Sequence, residues 1–79
     1  MEKLIEVANQ AVADYGFRQA VMYGADNAGR RAGLSEKEQA ILEGTVVELL
    51  AALPIPVQPK DVPAEQARVA EAIRAAAGA

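Results

Sequence analysis

The chain has no cysteine, no histidine and no tryptophan, and its large rings are limited to Tyr15, Phe17 and Tyr23. Without thiols there is no disulfide framework, and without thiols or imidazoles there is no ligand set for a structural zinc. The same absences remove the usual nucleophile and base pairs. Ser35 and Thr45 are the only small hydroxyls, so neither a Cys–His pair nor a Ser–His–Asp triad can be assembled. Carboxylate pairs such as Glu36 with Glu43, or Asp14 with Asp26, read as solvated helix faces. The chain is therefore expected not to be an enzyme, and no cofactor or metal is expected. Positive charge is scarce too: eight Lys and Arg stand against eleven Asp and Glu, a net charge of -3. That balance lacks the basic footprint of a nucleic-acid binder. Long apolar runs are missing as well. The greasiest region, residues 40–57, is interrupted by Glu43, Glu48 and two prolines, so no membrane span is expected. The opening MEKLIEVANQ carries acidic residues among its apolar ones and does not read as a secretory signal, which makes a cytoplasmic location the expectation.

What is present suits a small helical domain. The 79 residues are 52% hydrophobic, chiefly Ala, Val and Leu. A chain of this size buries only roughly 60% of its unfolded surface. With neither disulfide nor metal available, association with another chain is the remaining route to extra stability. The acid excess is local: residues 35–53 carry Lys37 against Glu36, Glu38, Glu43 and Glu48, while the flanking regions are balanced.

Residues 3–23 are expected to be helical. In KLIEVANQAVADY, Leu4, Ala8, Ala11 with Val12, and Tyr15 recur at three- and four-residue spacing. Gly16 weakens this helix and FRQAVMY continues it in a compatible phase, which predicts one kinked helix or two short ones. Residues 24–34 hold Gly24, Gly29 and Gly33, which predicts a glycine-rich break with at best one short helical turn from Asn27 to Ala32. Read from Gly24, the stretch GADNAGRR approaches the phosphate-loop pattern, but Arg30 and Arg31 stand where its lysine and hydroxyl belong. Asp26 and Asn27 likewise lack the alternating oxygens of a calcium loop.

Ser35 and Glu38 in SEKEQAIL form a capping-box pair that starts a helix over residues 36–53, ended by Pro54. Leu34 and Gln39 occupy the staple positions, of which only the first is apolar. The expected seam of this helix is Leu42, Val46, Leu49 and Leu53, widened by Ile41, Thr45 and Leu50, with Gly44 placed for close packing against another helix. PIPVQPKDVP has four prolines in ten residues and reads as an extended crossover. Ile55 and Val57 alternate with its prolines, so the segment is expected to lie on an apolar surface, its own or a partner's. A last helix over 64–77 turns Val69, Ala70, Ile73 and Ala76 inward and presents Glu65, Arg68, Glu71 and Arg74 as a charged ladder. The fold expected is all-α, one domain over residues 1–79, a small bundle of three principal helices with a Gly-rich break and a Pro-rich crossover.

The run FRQAVMYGADNAGRRAGLSEKEQAILEG, Phe17 to Gly44, resembles the helical segment of the small subunit of extradiol ring-opening aromatic dioxygenases, in which a Phe-Arg start precedes a Gly-Leu-Ser cap and an acidic helix. It is also similar to some leader regions of ribosomally made, enzyme-modified peptides. The chain has Ala25-Asp26-Asn27 where such segments often carry an Asp-Pro pair. Both resemblances imply a small helical piece that acts by docking on a larger protein.

The sequence thus points to a non-enzymatic accessory or interaction protein that binds a protein partner or itself. Its expected contact residues are Leu42, Val46, Leu49, Leu53, Ile55 and Val57. Arg18, Arg30 and Arg31 are a possible anion patch if they meet on one side. Small size, alanine richness and the lack of a site also fit a structural or regulatory protein of a phage or mobile element, and a third reading is a small non-catalytic subunit of an enzyme complex. The capping box supplies a direct test. Ser35→Ala should cost about 1 kcal/mol, and an unchanged melting curve would show that the second principal helix starts elsewhere.

Overall fold

In the computed structural model, which describes residues 1–78, all regular structure among the described residues is helical. Ala79, the last residue of the expected domain, lies outside them. The first helical stretch is divided into α1 (Glu2–Ala13) and α2 (Tyr15–Tyr23). The break falls at Asp14 rather than Gly16. Asp14 takes an extended backbone, and its Oδ1 accepts from Phe17 N–H at 3.1 Å, so the carboxylate caps α2 at its positive end.

The expected glycine-rich break is itself a helix, α3 (Ala25–Ala32), in place of the turns predicted for residues 24–34. Packing overrides propensity here. Ala25, Ala28 and Ala32 lie against the core and Gly29 is buried. A Cβ on Gly29 would stand 1.5 Å from Gln39 Oε1, so the missing side chain is what lets Gln39 cross α3 and donate to the Ala25 carbonyl at 3.0 Å. Three residues then turn the corner. Gly33 adopts the left-handed conformation at φ 74°, with Leu34 N–H bonding the Gly29 carbonyl and Gly33 N–H the Arg30 carbonyl, the double closure of a Schellman motif. Ser35 caps the next helix. Its Oγ accepts from Glu38 N–H at 3.2 Å, while Glu38 Oε1 accepts from Ser35 N–H at 2.9 Å. That backbone donor, helped by the Met1 amino group 3.6 Å away, holds the Glu38 carboxyl below the usual carboxylate range despite its burial.

The second principal helix is continuous from Glu36 to Ala51 but changes pitch: α4 (Glu36–Ile41), a π turn (Leu42–Val46), then α5 (Val47–Ala51). Its buried positions are Glu38, Leu42, Val46 and Leu50, joined by Ile41. Four-residue steps drift by about 40° each on a regular α-helix. The wider π turn reduces that drift and keeps the row facing inward. Leu49 and Leu53 are in consequence only half-buried, and Leu50 takes the place expected for Leu49. Gly44 is exposed, with open space where a Cβ would stand, so it does not mark close helix packing.

After α5 the proline segment runs without regular structure to a 3-10 turn, Pro59–Asp61, which leads into α6 (Val62–Gly78). α6 packs chiefly along α1 and also against α4 and the π turn. Gln66 Nε2 donates to the Asn9 carbonyl at 2.9 Å, and Lys37 Nζ to the Ala77 carbonyl at 2.8 Å near the end of α6. Leu4, Ala8, Ala11 and Val12 of α1 meet Val21, Leu42, Val46, Leu50, Val69 and Ile73 in one core.

Arg18 of α2 is the largest buried side chain, 2% exposed. Its guanidinium stacks 5.0 Å over the Tyr15 ring and donates to the Leu53 and Pro54 carbonyls at 3.3 and 2.8 Å. Removing the guanidinium deletes two part-buried hydrogen bonds from a charged donor, each worth about 1.5–3 kcal/mol. Arg18→Met should therefore lower the melting temperature by about 10 °C in circular dichroism; no shift would mean that water serves these carbonyls equally well.

Candidate docking surfaces

The contact residues expected from the sequence separate into three groups. Leu42 and Val46 are fully buried and Val57 is 8% exposed, so all three belong to the chain's own core and offer a partner no surface. Leu49 and Leu53 pack against that core from its edge. Ile55 alone points outward, 70% exposed between its prolines. The arginines do not meet either. Arg18 is committed to the carbonyls at the end of the second principal helix, Arg30 pairs with Asp26 at 3.8 Å, and Arg31 is exposed. Arg30 and Arg31 are successive residues on α3 and border different clefts. No three-arginine anion patch is assembled.

Arg30 borders an open cleft of about 580 Å³ between α3 and α4, whose polar walls include Asp26, Gln39 and Glu43. These groups satisfy one another: Gln39 Nε2 donates to Glu43 Oε2 at 2.7 Å beside the Asp26–Arg30 pair. Arg31 borders a second groove of about 390 Å³ where α1, α2 and α3 converge. Val7 is buried beneath it, and half-buried Phe17, Ala28 and Ala32 form its walls together with exposed Ala20. Gln10, Asn27 and Arg31 supply an exposed polar rim. The local cause is compositional. Three short helices meet at Asp14 and Gly24, and alanine at positions 20, 28 and 32 is too short to fill the space between them. Reading residues 24–34 as a break concealed this groove, because only a helical α3 brings Ala28, Arg31 and Ala32 to one side.

The described residues bring together no group of three or more acidic side chains that could hold a metal ion, and no helix among them is long and apolar enough to cross a membrane. No family model, curated protein or solved structure matches this chain.

The two apolar residues of the proline segment now have opposite roles, which a pair of substitutions separates. Val57→Ser should cost about 2 kcal/mol of stability, the value of a buried valine. Ile55→Ser should stay within about 0.5 kcal/mol. Equal losses in thermal melts would contradict the burial of one and the exposure of the other.

Proposed function

We propose that this chain is a non-enzymatic helical accessory protein that acts by docking on another protein. The observation that carries the reading is the open apolar groove of α1, α2 and α3, left unfilled in a chain whose core is otherwise complete. Two further features support it. Tyr23 and Ile55 are 83% and 70% exposed, the large hydrophobic side chains that the fold leaves in water, and apolar groups rimmed by polar ones are the usual anatomy of an interaction site. The resemblance of residues 17–44 to helical pieces that dock on larger proteins agrees with this role.

The test uses the tagged chain at native expression. In an extract of its own cells it should elute far above its monomer mass of 8.3 kDa. Ala20→Trp, at an exposed position in the groove, should shift it toward monomer while leaving the purified protein's melting temperature unchanged. Wild-type chain that elutes as a monomer in the extract would overturn the reading.

A further inference from the structure

The second principal helix carries two overlapping apolar faces, and the fold uses one of them. On a uniform α-helix each residue turns by about 100°, so Leu42, Val46, Leu49 and Leu53 would share a face and Leu50 would stand roughly 80° from Leu42. In the structure Leu42, Val46 and Leu50 are fully buried, while Leu49 and Leu53 pack against the core from its edge. The π turn Leu42–Val46 makes the difference. Its bonds span five residues in place of four, so it holds one residue more than the α turn it replaces, and the helix beyond it lags by about 100°. If the turn reverted to α pitch with the chain intact, α5 would rotate by that angle and bring Leu49 and Leu53 inward in place of Leu50. The turn is also where the helix is locally weakest. Residues 44–47 are Gly, Thr, Val and Val, poorer helix formers than the alanines and leucines around them. Gly44 is exposed, with open space where a Cβ would stand, so packing does not demand a glycine there. What holds the present register is Arg18 of α2, which donates to the Leu53 and Pro54 carbonyls just beyond the end of α5. Rotation of α5 carries both acceptors around the helix axis and away from the guanidinium.

We propose that the π turn is a register switch. In one register Leu50 is inside and Arg18 latches the end of α5. In the other the helix is α throughout, Leu49 and Leu53 are inside, and Leu50 and the start of the proline segment are carried toward the surface. The switch is a rotation of one packed element between two apolar faces of its own sequence, and it stands apart from the docking groove.

The test is methyl relaxation dispersion on the full wild-type chain, which reads exchange on the microsecond-to-millisecond scale of helix register shifts. Leu49, Leu50 and Leu53 should share one exchange process, with amplitudes well above that of Leu4 in α1. Deleting Gly44 removes the extra residue and leaves a uniform helix with Leu42, Val46 and Leu50 still on one face. That variant should lose the exchange while its melting temperature stays within about 5 °C of wild type. Deleting exposed Glu71 from α6, which has no such turn, rotates the buried Ile73 out of the core and should lower the melting temperature by more than about 10 °C. Flat dispersion at Leu49 and Leu50, exchange that survives the deletion of Gly44, or a Gly44 deletion as damaging as that of Glu71 would overturn the proposal.

Discussion

The Arg18 guanidinium holds the two halves of this small fold together. A buried cation is costly unless its donors are occupied; the Arg18 Nε is buried without a hydrogen-bond partner, and no carboxylate lies in ion-pair range of Arg18 among the described residues. Its partners are instead the Leu53 and Pro54 carbonyls, where the second principal helix ends and the partial charge is negative. The Tyr15 ring covers it from one side. The chain needs such a donor there because Pro54 and Pro56 have no N–H to offer in a turn. By gripping the end of that helix, α2 also sets the path of the proline segment. Val57 then falls into the core and Ile55 outside it.

A second constraint is the four-residue spacing of Glu38, Leu42, Val46 and Leu50. A row of that period drifts by about 40° per step around a uniform α-helix, and the π turn at Leu42–Val46 reduces that drift. The inner face of the helix buries one carboxyl, that of Glu38, and it is buried inside a capping box that already satisfies it. The apolar seam is therefore spent on the chain's own contacts with α6 and α2, and the groove left open lies among α1, α2 and α3.

That location explains why an alanine-rich sequence leaves an open groove at all. Alanine favours helix and permits close approach, but it fills little volume. Where three helices meet at the sharp corners of Asp14 and Gly24, alanines at 20, 28 and 32 leave a slot that leucines would have closed. The same residues that make the helices easy to form leave the groove open.

Much was legible in the residues themselves. The all-helical class followed from the spacing of Leu4, Ala8, Ala11 and Val12 and of Val69, Ala70 and Ile73, because helical period and burial coincide at those positions. The start at Ser35 was legible because a capping box is local chemistry between residues three apart. Three things were decided only by tertiary structure. α3 is helical although glycine and asparagine disfavour it, since burial of Gly29 and the crossing of Gln39 outweigh propensity. Leu50 replaced Leu49 in the core because the register of a helix with a π turn depends on what it packs against. Arg18 is inside because its acceptors lie 35 and 36 residues away along the chain, and no periodicity in a sequence reports which distant carbonyls lack a donor.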